Sequence, residues 1–132
     1  MKKSTYESWV RRLVENLASH LNLSGWTIHL KFSDEDKQDI YAEASTNSVY
    51  MSCLITLYRL GKTDFEGEET DRLIMALVHE LCHILVDPFH QEMVPFLSPS
   101  TTQSFMNILE QQTQKLTMVI LKTLPKNLIP PR

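Results

Sequence analysis

The stretch His79-Glu80-Leu81-Cys82-His83 constrains this chain more than any other. Histidines four residues apart can act together on a helix, where they lie one turn apart and project from one face. That spacing puts two imidazoles within reach of a single Zn²⁺, at about 2.0–2.1 Å per nitrogen. Glu80 then sits beside the metal and not on it, in reach of a proton from a water that the metal activates. The plainer alternative is a buried amphipathic helix in which His79 and His83 only fill core positions.

The flanking residues predict the helix that the pattern needs. Leu73, Ile74, Leu77, Val78, Leu81, Ile84 and Leu85 recur at three- and four-residue steps, as a broad buried stripe requires. Glu66, Glu68, Glu69 and Asp71 crowd the expected first turn, where acids complement the helix dipole, and Thr70 is a candidate cap. Pro88 disfavours helical geometry at Asp87, so the helix is expected to end near Val86.

With 132 residues the chain suits a single domain, 1–132, with one core. A formal net charge of −3 gives no reason to expect a nucleic-acid partner. Lys2, Lys3, Arg11 and Arg12 read as a solvated face of the first helix. No run of charge-free apolar residues approaches the roughly 20 that span a bilayer, and the N-terminus lacks a signal-peptide core. A cytoplasmic protein without a membrane partner is therefore expected. Cys53 and Cys82 are too few for a disulfide framework and read as buried free thiols.

Ser4 and Glu7 match a capping box ahead of an amphipathic helix with Tyr6, Trp9, Val10, Leu13, Val14, Leu17 and Leu21 on its stripe. Asn22 to Gly25 stops it. Trp26 to Phe32 alternates with period two, which predicts a strand with His29 on the face away from the core. Ser33 to Asp39 reads as a solvated acidic loop, since it lacks the spacing of a calcium loop. Ile40 to Ser45 is a weaker strand, and after a turn at Thr46-Asn47-Ser48 a longer one runs from Val49 to Leu60. An antiparallel pair that the first strand joins is expected. Gly61 to Gly67 reads as a loop and Pro88 to Pro99 as irregular. A last helix is expected to about Leu124, capped by Ser98, Ser100 or Thr101, with Phe105, Met106, Leu109, Leu116, Val119, Ile120 and Leu124 apolar. The tail from Pro125 is expected to be extended and mobile.

A catalytic zinc usually takes three protein ligands. The candidates for the third are Asp87, His90, Glu92 and Glu110. Asp87, one turn beyond His83, is placed to accept a ligating imidazole's N–H, or simply to end the helix before Pro88. His90 follows His83 by seven residues, one more than in the H-E-x-x-H-x-x-G-x-x-H pattern, and Val86 stands where that pattern has glycine. Glu92 lies in the same loop without a periodic reason to point inward. Glu110 sits mid-helix beside Met106, Leu109, Thr113 and Leu116. An ionised carboxylate against such a stripe is costly unless a cation meets it or it reaches solvent at the stripe's edge.

These residues together resemble the zincin metallopeptidases of the gluzincin type, with H-E-x-x-H on one helix and a glutamate on a later one. Among these it looks most like the very small single-domain metallopeptidases of phages and prophages. That resemblance implies His79, His83 and Glu110 as zinc ligands and Glu80 as general base. It also implies a minimal α+β fold: an N-terminal helix, a short three-stranded sheet, the motif helix and a C-terminal glutamate-bearing helix. The function so implied is hydrolysis of a peptide or flexible protein segment, a regulatory protein such as a repressor being one specialised substrate. The segment would pair with an edge strand, for which Val49–Leu60 is the candidate. Tyr50, Tyr58 and His90 are candidates to polarise the carbonyl. The rival reading is a zincin-shaped binding or regulatory module with a structural metal or none.

Overall fold

The computed structural model describes the backbone from Lys3 to Arg132 and side chains from Thr5 onward. Ser4's proposed capping bond and the exposure of Lys2 and Lys3 lie outside the described residues. The first helix, α1 (Lys3–His20), buries Tyr6, Trp9, Val10, Leu13, Val14 and Leu17. The turn that closes it reaches Asn22, whose φ of 59° is the left-handed conformation that asparagine tolerates. Leu23 N–H donates to Ala18 O at 2.8 Å and Asn22 N–H to Ser19 O at 3.1 Å, satisfying carbonyls that the helix end leaves free.

Three strands follow, β1 (Thr27–Phe32), β2 (Ala42–Asn47) and β3 (Ser52–Leu57), in the sheet order β1-β3-β2. The expected hairpin is present: β2 runs antiparallel to β3, with Ala44 opposite Ile55. β1 joins on the other side, parallel to β3. Alternation selects the inner face, with Ile28, Leu30 and Phe32 packed on the core, Cys53, Ile55 and Leu57 fully buried, and His29 exposed. Consequently β3, the centre of the expected Val49–Leu60 strand, is the middle of the sheet and offers no edge for substrate. The edge beside the motif helix is β2.

The segment read as a loop at Gly61–Gly67 is mostly a helix, α2 (Arg59–Glu66). Phe65 explains it: buried at 1% exposure, its ring lies 5.3 Å from those of both Tyr6 and Trp9. Gly61 works here by size, because a Cβ would stand 2.9 Å from Leu73 Cδ1.

The motif helix, α3 (Asp71–Met93), buries Leu73, Ile74, Leu77, Val78, Leu81, Cys82 and Ile84. Thr70 makes no side-chain cap bond, and of the four acids expected in the first turn only Asp71 lies there. The expected stop at Val86 is wrong: the helix runs through Pro88 to Met93 and into a 3₁₀ turn at Val94–Phe96. Contacts beyond the proline hold it. Phe89 and His90 pack on Phe105, and Gln91 Nε2 donates to Thr46 O at 3.2 Å. Asp71–Phe96 is long and apolar enough to cross a membrane by length and composition, but its apolar face is a wall of the core.

Ser98 caps α4 (Pro99–Thr123), accepting from Thr101 N–H at 3.3 Å. Of the expected stripe, Met106 and Val119 are exposed, while the fully buried positions are Thr113 and Thr117. Small side chains let α4 come close to α3. The tail is docked: Trp9 Nε1 donates to Pro130 O and Asn16 Nδ2 to Leu128 O, both at 2.8 Å, and Arg132 donates to Phe65 O at 2.9 Å.

Candidate metal centre

The H-E-x-x-H residues lie in the middle of α3, where it runs between β2 and α4. The His79 and His83 rings have centroids 4.9 Å apart and stand edge to face, at 83°. Both turn Nε2 toward one carboxylate: His79 Nε2 lies 2.9 Å from Glu110 Oε1 and His83 Nε2 3.4 Å from Glu110 Oε2. One potential ligand atom from each of the three residues lies within 4.8 Å of the others. The imidazoles are largely covered, with side chains 16% and 22% exposed, whereas Glu110 is 58% exposed. The helical rise of α3 accordingly presents two nitrogens one turn apart, and α4 brings an oxygen across from them.

The far nitrogens are held too. Asp87 Oδ1 accepts from His83 Nδ1 at 3.2 Å, and Asp87 Oδ2 accepts from Thr46 Oγ1 of β2 at 2.9 Å. His79 Nδ1 faces Thr117 Oγ1 at 3.4 Å. The edge strand is thus tied to a candidate ligand through one carboxylate. Burial pushes the His83 pKa down, but the hydrogen bond it donates to Asp87 and the negative charges of Asp87, Glu80 and Glu110 outweigh it, and the net shift is upward.

Glu80 occupies the wall between the histidines and the edge strand. Its Oε1 accepts Ala44 N–H at 2.9 Å. Burial pushes its carboxyl up to about 7, with the charges of Glu110 and Glu43 adding to the shift and those of His83 and the Ala44 N–H opposing it. A carboxyl poised there can exchange a proton near neutral pH. Residues 79, 80, 83 and 110 line one open cleft of about 460 Å³, whose other walls include Ala42, Glu43, Ala44, Met106 and Leu109.

The remaining candidates separate clearly. Asp87 backs His83 and lies outside the His79, His83 and Glu110 cluster. His90 lines the cleft, stacked on Phe105, and its Nε2 is buried without a hydrogen-bond partner among the described residues. Glu92 is exposed and outside the cluster. Tyr50 stands 78% exposed at the hairpin tip, and Tyr58 reaches the cleft only by donating to Glu43 at 2.7 Å. Sequence reading missed Thr46 and Thr117. Thr117 had a signal, because Glu110, Thr113 and Thr117 recur at helical steps on one face. Thr46 had none, since only the sheet order brings β2 to α3. Comparison with family models, curated proteins and solved structures finds no match.

Proposed function

We propose that this protein is a zinc-dependent peptidase, with His79, His83 and Glu110 holding the cation and Glu80 as general base. The observation that carries the reading is the convergence of both Nε2 atoms on one carboxylate, with Glu80 beside them in an open cleft. The donor set fits the ion: two imidazole nitrogens and one carboxylate oxygen are a known catalytic zinc set, and Nδ1 of each ring already faces an oxygen partner. A bound zinc ion would supply Lewis acidity, activating water and polarising a carbonyl.

The chain's own residues do the rest. Glu80 accepts a proton from the attacking water and passes it to the leaving amine. Ala44 N–H holds that carboxylate in position. Since the Ala44 N–H, held by Glu80, and the Thr46 C=O turn away from β3, alternation puts the Ala42 N–H and C=O and the Ala44 C=O on the same outer edge, where an extended substrate can pair.

Glu80→Gln tests the reading. The variant should bind zinc stoichiometrically and lose about 10²–10⁴-fold in metal-dependent peptide hydrolysis. A zinc-loaded wild type that cleaves nothing in a broad peptide library would refute catalysis and favour a zincin-shaped binding module.

A further inference from the structure

Among the described residues, Thr113 and Thr117 are the two fully buried polar side chains, and they share one face of α4. Each hydroxyl donates to the carbonyl four residues back, Thr113 to Leu109 O at 2.7 Å and Thr117 to Thr113 O at 2.8 Å. A hydroxyl whose hydrogen is spent in this way can meet a third group only as an acceptor. Among the described residues the Thr113 hydroxyl has no hydrogen bond to an imidazole. Thr117 Oγ1 stands 3.4 Å from His79 Nδ1.

We infer that Thr117 is a positioning residue for His79: its oxygen accepts the Nδ1–H and leaves the Nε2 lone pair turned to the cation. The inference rests on the zinc reading above and adds to it. At 3.4 Å the bond is long, so its effect is to select a tautomer and a ring orientation more than to add binding energy. The two ligands are then backed differently. His83 leans on the carboxylate of Asp87, which increases its basicity, while His79 leans on a neutral hydroxyl. Thr117 itself has no exposed surface.

The geometry supplies its own control. Thr117→Val and Thr113→Val each remove a buried hydroxyl and one bond to a helix carbonyl, but only the first removes a hydroxyl within hydrogen-bond distance of His79. Zinc affinity is read by chelator competition and folding by thermal unfolding. Thr117→Val should weaken zinc about 10–100-fold, Thr113→Val should stay near wild type, and Thr117→Ser should restore binding. Thr117→Val at wild-type affinity, or equal losses in both valine variants, would overturn the role and leave the zinc site standing. Failure of the unaltered protein to bind zinc would overturn both. Should Thr117→Val not fold, the alanine pair decides: a zinc-affinity loss in Thr117→Ala beyond that in Thr113→Ala supports the assignment, and equal affinities overturn it.

Discussion

Replacing Glu80 by glutamine in metal-free protein should stabilise the fold at pH 8, and the gain should vanish below about pH 4.5. Burial lifts the Glu80 carboxyl from 4.5 to about 7, so the folded chain holds this proton more tightly than the unfolded chain does. A raised folded pKa contributes stability that is complete below the unfolded value and is lost as pH rises through the folded one. The loss therefore falls between about pH 4.5 and 7. At 1.36 kcal/mol per pH unit, the charged carboxylate costs the fold about 3 kcal/mol at pH 8, less whatever solvent reaching the cleft screens. Glutamine removes the charge at nearly constant shape, and its carbonyl can keep the Ala44 N–H bond now measured at 2.9 Å. Urea unfolding of both proteins at pH 4.5, 6 and 8 in chelator isolates the effect, because the other titrating groups are common to both. Zinc should shrink the difference, since a cation favours the charged form. An equal stability difference at pH 4.5 and 8, or a wild type that is the more stable at pH 8, would refute the argument.

Glu110→Ala should lower zinc affinity by at least 10–100-fold in chelator competition while moving metal-free stability by less than about 0.5 kcal/mol, because the side chain is 58% exposed. Wild-type affinity would remove Glu110 from the ligand set. Trp9→Phe should cost about 1–3 kcal/mol in urea unfolding, since it leaves the Pro130 carbonyl without its buried donor. No loss would mean that the tail does not brace α1.

Where burial patterns were local, the sequence was readable. The period-three and period-four recurrence around His79 marks α3, and alternation marks β1 and β3, because each element must hide one face. The helix at Arg59–Glu66 was hidden because its reason is a single residue, Phe65, meeting Tyr6 and Trp9 from a distant segment. The overrun past Pro88 was hidden likewise. A local steric preference predicts a stop there, and packing on Phe105 with the Gln91 bond to β2 overrides it. Within the candidate site the two histidines and Glu80 follow from spacing alone, while Glu110 was singled out by its place on an apolar stripe.

The sequence by itself determined that two imidazoles and an acid share a stretch of amphipathic helix, because helical periodicity is a property of consecutive residues. Only the tertiary structure decided which distant groups complete the set. Glu110 meets the rings because Thr113 and Thr117 let α4 approach α3, and Thr46 reaches Asp87 because β2, not β3, is the edge strand. Such contacts depend on how whole elements pack, and no local pattern encodes that.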